Sequence, residues 1–190
     1  MSTSSDDLRV IALTEFAAAG YVGTSLHRIA DLAGLSKSSV LYHFASKEHL
    51  LEAAVAPAID RMEQILVTLQ ASPLTPEGRG AFLVEFVDFI LECRRELHLF
   101  INQGPSLVDV PVIDRANGIV KRLSEFFEEN TASLEEKMRF GIALGGAAYL
   151  LCTEDSLALE AAPADETRVA LIVILTELLA PVGASFTSGD

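Results

Sequence analysis

Residues 24–48, TSLHRIADLAGLSKSSVLYHFASKE, decide the fold of this chain. Apolar side chains recur there at the i, i+3, i+4, i+7 spacing of one helix face: Leu26, Ile29, Ala30 and Ala33. Thr24 or Ser25 can cap this helix, and Gly34 can take the left-handed backbone conformation that ends it. Ser36 can then cap a further helix, Lys37 to Phe44. The stretch predicts two short helices joined by a glycine turn.

Such a pair can bind DNA, because one helix lies across the phosphate backbone while the next enters the major groove, about 12 Å wide. In the second predicted helix the apolar residues are Val40, Leu41 and Phe44, which leaves polar residues to face outward. No carboxylate lies between Gly34 and Glu48. The second helix therefore has the composition expected of a DNA-reading helix.

The flanking sequence predicts more helices and no strand. A first helix with Leu8, Ala12, Phe16 and Ala19 on one face ends at Gly20, and a long helix runs from Lys47 to about Gln70 with Pro57 inside it. Residues 72–80 contain two Pro and two Gly and predict a loop. Later helices are predicted at about 81–95, 97–102, 113–129, 134–153 and 166–180. We expect an all-α protein with a DNA-binding domain at 1–50 and a helical effector-binding and dimerisation domain at 51–190.

Composition and charge limit the classes of function that we expect for the chain. The net charge is −13, yet residues 1–50 carry four Lys or Arg against five Asp or Glu, so the acidity belongs to the C-terminal part. No apolar run approaches the ~18–20 residues of a membrane span, and the first residues lack the pattern of a secretory signal, so we expect a cytoplasmic protein with no membrane partner. Cys93 and Cys152 are expected to be buried thiols. The chain has no catalytic motif or metal-ligand spacing, which predicts neither an enzyme nor a cofactor or metal site.

The sequence resembles the TetR family of repressors through two runs. Residues 20–36 read GYVGTSLHRIADLAGLS, and residues 42–48 read YHFASKE. The resemblance covers about residues 8–52. It implies a homodimer whose N-terminal modules bind a palindromic operator and whose C-terminal domains bind a small effector that releases the DNA. One position departs from the family pattern, because Leu41 stands where a phosphate-contacting tyrosine is common and Tyr42 follows one place later.

Ten residues are predicted to contact double-stranded operator DNA. They follow from the reading helix and from the resemblance: Thr24, Ser25, His27, Arg28, Lys37, Ser38, Ser39, Tyr42, His43 and Lys47. Each has a simpler interpretation beside the functional one. The serines and Thr24 can act only as helix caps, and the charged or aromatic side chains can be merely exposed to solvent.

The C-terminal part is rich in regularly spaced aromatic residues. Phe82, Phe86 and Phe89 share one helix face, which fits either a plain aromatic core or an apolar effector pocket with a few polar groups. The residues predicted to bind the effector are Met62, Leu66, Phe82, Phe86, Phe89, His98, Asn102, Gln103, Phe126 and Tyr149. Few cations lie among these apolar segments, which favours a neutral lipophilic effector over an anionic one.

The last two helices are expected to form the dimer interface. Gly141, Gly145 and Ala148 share one face, which would let another helix approach closely, and the final helix is apolar over too wide a surface for water on one side. Together they predict half of an isologous four-helix interface. The sequence also leaves open a helical ligand-binding protein with little or no specific DNA binding, as Leu41 and the weak local charge would favour.

Overall fold

The computed structural model describes residues 4–71, 74–104, 107, 110–152 and 163–180, and every regular element in this part is an α-helix. The all-α prediction is therefore confirmed. In chain order the helices are α1 (Ser5–Ala19), α2 (Leu26–Ala33), α3 (Lys37–His43), α4 (Lys47–Gln70), α5 (Pro76–Glu92), α6 (Arg94–Gln103), α7 (Pro111–Asn130), α8 (Leu134–Cys152) and α9 (Ala164–Leu178).

Helices α1 to α3 and the start of α4 form the N-terminal head. Leu8, Phe16, Ile29, Val40 and Leu50 have no exposed surface, so one apolar cluster holds the four helices together. Serine side chains cap α2, α3 and α4. Ser25, Ser36 and Ser46 each accept a hydrogen bond from a backbone N–H of the first turn, at 3.1–3.2 Å. The caps fix where α2, α3 and α4 begin.

Helix α4 joins the head to the C-terminal helices. Its first turns pack against α1, and its length packs against α5 and α7. Pro57 lies inside the helix on its exposed side, where the missing N–H does not disturb the buried contacts of Val55 and Ala58. Arg115 of α7 forms ion pairs at 2.6 Å with both Asp60 and Glu63 of α4. These ion pairs fix the middle of α4 against α7.

Helix α5 begins earlier than the sequence predicts. The prediction of a loop over 72–80 is wrong from Pro76 onward, because Thr75 accepts a hydrogen bond from the Gly78 N–H at 3.1 Å and Pro76 occupies the first helical position. Proline is favoured there, since its missing N–H has no partner in the first turn in any case. Arg168 of α9 pairs with Asp88 of α5 at 2.5 Å, which lowers the pKa of the Asp88 carboxyl and joins the last helix to the domain.

Candidate nucleic-acid interface and effector cavity

The turn between α2 and α3 has the geometry that the sequence predicts. Gly34 has φ 67° and ψ 28°, the left-handed conformation that costs glycine little. The Gly34 N–H donates to the Asp31 carbonyl at 3.1 Å, and the Leu35 N–H donates to the Ala30 carbonyl at 2.9 Å. This pair of bonds satisfies the last carbonyls of α2 and turns the chain sharply into α3. The two helices form a helix-turn-helix.

Helix α3 presents a polar face to solvent. Lys37, Ser38 and His43 are exposed, and Tyr42 is 88% exposed at the end of the helix. Ser39 is half-buried, and its hydroxyl lies 2.8 Å from the hydroxyl of Ser36, the residue that caps the helix. The Ser38 hydroxyl also lies 2.8 Å from the Ser36 hydroxyl, so both serines of this face contact the capping residue, while Lys37 and Tyr42 extend into solvent.

Thr24 lies with its side chain inside the protein. It is 2% exposed, and its hydroxyl donates to the Gly20 carbonyl at 2.8 Å. Ser25 is the residue that caps α2 and remains exposed. Of the two candidate caps, the structure places only Ser25 where its hydroxyl could meet a phosphate. The sequence could not decide between them, because both are hydroxyl residues just before the apolar spacing begins.

Lys47 uses its ammonium group inside the head. Its Nζ donates to the carbonyl oxygens of Tyr21 and Thr24, at 2.8 and 3.0 Å, and lies 4.1 Å from the centre of the Tyr21 ring. The Tyr21 ring that Lys47 contacts is itself buried, and this burial raises the pKa of the Tyr21 hydroxyl group to about 12. Charge-assisted bonds of this kind stabilise more than neutral ones. Lys47 therefore holds the segment before α2 in place, and removing it would affect the folding of the head as well as any phosphate contact.

The other charged candidates of the head lie at its surface with local partners. The Arg28 Nε donates to a carboxylate oxygen of Glu15 at 3.1 Å, and His27 is 3.8 Å from the Asp31 carboxylate. The His43 Nδ1 lies 3.1 Å from the Ser5 hydroxyl at the start of α1. All three are exposed, so exchange of these partners for phosphate oxygens requires only side-chain movement.

Gln103, at the end of α6, connects the C-terminal helices to the head. Its Oε1 accepts a hydrogen bond from the Tyr21 N–H at 2.8 Å, and its Nε2 donates to the Phe16 carbonyl at 2.9 Å. The carbonyls at the end of a helix lack partners within it, so this amide completes the end of α1. Gly20 has φ 80° and lies beside the amide. Gln103 is thus a junction residue, outside the cavity wall described next.

A cavity of about 770 Å³ lies among α4, α5, α6, α7 and α8, and its wall is mostly apolar. Volumes of roughly 300–1,000 Å³ are typical of small-molecule sites. Helix α4 contributes the residues on either side of Pro57, namely Val55, Ala58, Ile59 and Met62. Gly141 and Gly145 of α8 also line it, with nothing within 4 Å of where a Cβ would lie. The small-residue face of α8, which the sequence suggested for helix packing, therefore widens this cavity.

The predicted effector-binding residues separate into two sets. Four of them line the cavity: Met62, Phe86, Phe89 and Tyr149. The other six do not: Leu66, Phe82, His98, Asn102, Gln103 and Phe126. Phe82 stacks behind Phe86, with ring centres 5.8 Å apart, so the aromatic cluster is both core and cavity wall. Sequence reasoning missed Glu96, which lines the cavity from the first turn of α6, since nothing in the local pattern distinguishes it from a helix-start acid.

Helices α8 and α9 pack together and leave apolar side chains exposed. On α8 these include Met138 and Ile142, 57% and 63% exposed, and on α9 they include Val173 and Ile174, both 50% exposed. Leu171 and Leu175 of α9 are buried within the chain. The apolar surface of the last helix is thus shared between the interior of the chain and a face open to solvent.

Comparison with known proteins identifies the head. A family model described as bacterial regulatory proteins, tetR family, matches residues 10–54, which span α2, α3 and their flanks. KstR2 of Mycolicibacterium smegmatis, an HTH-type transcriptional repressor, is 33% identical over 113 residues. Residues 10–54 therefore carry the helix-turn-helix domain of the TetR family of regulators. The matching family model and this relative are both transcriptional regulators.

Solved TetR-family structures extend the likeness to nearly the whole chain. A TetR/AcrR-family regulator from Thermobifida fusca is 25% identical, with a TM-score of 0.57 over 90% of this chain and 96% of that one. KstR2 of Mycobacterium tuberculosis is 18% identical, with a TM-score of 0.65 over 93% and 95% of the two chains, and shares the fold. By sequence, the match to the M. smegmatis protein covers 57% of this chain and only 54% of that protein. None of the helices described could cross a membrane, given their length and apolar content.

Proposed function

We propose that this chain is a ligand-responsive repressor of the TetR family. It binds palindromic operator DNA as a homodimer in the cytoplasm and leaves the DNA when a small lipophilic molecule enters the cavity. The observation that carries the proposal is that α4 and α6, which contribute to the cavity wall, also hold the segment in front of the reading helices. Residues 1–50 would be the DNA-binding unit and 51–190 the effector-binding unit.

The DNA-binding part of the proposal rests on α3. Its polar, carboxylate-free face is exposed, and the α2–α3 turn has the geometry of a helix-turn-helix. We assign base contacts to the exposed face of α3 and phosphate contacts to Ser25, His27, Arg28 and His43. The protein carries a net charge of −13, so its binding must rely on this small surface and should weaken with salt, by a log–log slope of roughly −0.9 per phosphate neutralised.

The lipophilic effector is supported by the cavity and by the relatives. The wall is formed mainly by aliphatic and aromatic side chains, which favour an apolar ligand. The M. tuberculosis structure is that of a ketosteroid transcriptional regulator, and the M. smegmatis relative is a transcriptional repressor. The first name refers to ketosteroids, which are lipophilic, and the second refers to repression.

Filling the cavity is expected to weaken ligand binding without weakening the fold. Gly141→Leu places a side chain in open space inside the cavity and replaces a helical glycine, which should raise the free energy of unfolding by about 0.5–1 kcal/mol. The same side chain should lower the affinity for N-phenyl-1-naphthylamine, a fluorescent apolar probe, by about tenfold, because the ligand must compete with it for volume. Fluorescence titration and urea unfolding measure the two quantities.

Gly118→Leu is the matched control. Gly118 lies within α7, has open space around its Cβ position, and does not line the cavity. It should gain stability in the same way and keep the probe affinity of the wild type. Equal probe affinity of the wild type and Gly141→Leu would mean that the ligand does not occupy this cavity.

Transmission to the head is proposed to use two contacts. Helix α4 begins at Lys47 and carries cavity residues around Pro57 near its middle, and α6 ends at Gln103 against the last turn of α1. A ligand shifts the DNA-binding equilibrium only by its different affinity for the two arrangements of these helices. Because both α4 and α6 contact the head, the proposed switch does not depend on α4 alone, although α4 runs without interruption from the head into the C-terminal helices.

Gln103→Ala is expected to weaken this coupling. The substitution removes the hydrogen bonds to Phe16 and Tyr21, so a ligand-driven movement of α6 would no longer displace α1 directly. The ratio of operator affinities without and with a saturating ligand should fall by about threefold to tenfold, a fraction of the coupling typical of allosteric proteins. Fluorescence anisotropy on labelled operator measures the ratio. Asn102→Ala, which removes the neighbouring amide bonded within α6, should leave the ratio unchanged, and equal effects of both variants would exclude the junction from the switch.

A second candidate function is a helical ligand-binding protein without specific DNA binding. The observation that favours it is the engagement of Lys47 and Arg28 within the head, together with Leu41 at the position where the family commonly has a tyrosine. Electrophoretic shift with the DNA upstream of the protein's own gene distinguishes the two functions. A specific complex supports the repressor, and binding no tighter than to random DNA supports the alternative.

A further inference from the structure

The cavity wall carries three charged residues among its apolar ones, namely Glu96, Glu128 and Lys137. Lys137 and Glu128 lie 3.7 Å apart and are 39% and 73% exposed, so their charges offset each other in contact with water. Glu96 is different. Among the ion pairs of the described residues none involves its carboxylate, and Glu96 is half-buried in the part of the wall that Leu97 and Phe100 also line.

The position of Glu96 on α6 accounts for only part of the environment of its carboxyl group. It lies in the first turn, where an acid interacts favourably with the helix dipole, and the backbone N–H of Glu96 itself lowers the pKa of the carboxyl. Burial has the larger and opposite effect and raises that pKa. A ligand that fills the cavity would displace water from this half-buried carboxyl group, which is costly unless the ligand supplies a hydrogen-bond donor in its place.

Two hydroxyl groups also belong to the wall, those of Ser124 and Tyr149, and the Ser124 hydroxyl donates to the Val120 carbonyl within α7 at 3.0 Å. Of the charged groups of the wall, Glu96 is thus the one whose charge is not offset by an ion pair among the described residues. A ligand carboxylate placed beside it would add a second negative charge in surroundings of low dielectric constant. A hydroxyl or ammonium group would donate to it.

We propose that Glu96 selects the effector: a lipophilic molecule that presents a hydrogen-bond donor, a hydroxyl or an amine, and not a lipophilic carboxylate. This inference rests on the proposed function of the cavity as the effector site. It names the chemistry at one end of the ligand, which the apolar wall alone does not specify.

The experiment uses the full-length protein and a matched set of ten-carbon ligands: decylamine, 1-decanol, decyl methyl ether and decanoate. Each displaces N-phenyl-1-naphthylamine, whose fluorescence is easily followed because the chain has no Trp. The amine and the alcohol should bind about tenfold to hundredfold more tightly than decanoate, as expected for a hydrogen bond to a charged group, and the alcohol should exceed the ether.

Glu96→Gln should reduce the preference for amine over carboxylate by at least about tenfold. Glu128→Gln makes the same change of net charge at a cavity residue that Lys137 already neutralises, and should keep the wild-type preference. A purely structural Glu96 would alter stability in Glu96→Gln without altering the order of the ligands.

The outcomes separate the two proposals. Failure of the probe to bind would overturn the cavity as an effector site, and this inference with it. Probe binding with decanoate as tight as decylamine, or an unchanged preference in Glu96→Gln, would overturn the selection by Glu96 alone.

Discussion

Ile142→Glu is expected to produce monomers and to lower operator affinity by about hundredfold or more. Ile142 is 63% exposed on α8, within the apolar face that α8 shares with α9. If this face meets its copy across a two-fold axis, each dimer would bury two unpaired carboxylates, because an isologous interface repeats every substitution. Two linked heads gain about 10²–10⁴ in affinity over one, and that gain is lost with the dimer.

The control for this prediction is Val67→Glu, which adds the same charge at a 56% exposed position of α4 away from the α8–α9 face. It should remain dimeric in sedimentation and bind operator as the wild type does. Ile174→Glu, on the same face but on α9, should reproduce the Ile142→Glu result. A dimeric Ile142→Glu protein would place the interface elsewhere. Leu175 is unsuitable for the test, since it is 2% exposed and a glutamate there would disrupt the monomer itself.

The second large effect is expected at the reading helix. Lys37→Ala should lower the affinity for operator about tenfold to hundredfold and the affinity for random DNA much less, because a lost base contact costs about 1–3 kcal/mol of discrimination. Lys37 is exposed in the first turn of α3, and no carboxylate lies nearby in the sequence to compete for it. Lys121→Ala, which removes an equally exposed charge from α7, should affect neither DNA. Equal losses on operator and random DNA for Lys37→Ala would make Lys37 a phosphate contact.

The helix-turn-helix was predictable because its signals are local. Hydroxyl caps, a left-handed glycine and apolar spacing over a few residues determine where α2 and α3 begin and end. The start of α5 was mispredicted for a local reason too, since Pro76 was interpreted as a breaker although Thr75 makes it a first-turn residue. The helix propensity of proline is the same whether the residue ends a helix or begins one. The capping residue in front of it decides between the two cases.

The roles of individual polar side chains were not predictable in the same way. Gln103 belongs to the junction with α1, and Lys47 bonds to carbonyls of a segment more than 20 residues earlier in the chain. These partners are distant in sequence, so no spacing rule reports them. Glu96 and Gly141 line the cavity only because five helices surround it. The apolar surface of α9, in contrast, was anticipated from an excess of apolar residues over what one chain can bury. For α8 the sequence pointed instead to Gly141, Gly145 and Ala148, which line the cavity.

The most direct test of the account is the affinity of the wild-type protein for the DNA upstream of its own gene, compared with random DNA, with and without a saturating apolar ligand that displaces N-phenyl-1-naphthylamine. The account predicts a specific complex at least about 10³-fold tighter than the random one, as is typical of operator binding, and a loss of about tenfold or more in operator affinity when the ligand is bound. Equal affinity for both DNAs, or an operator affinity that the ligand leaves unchanged, would contradict it.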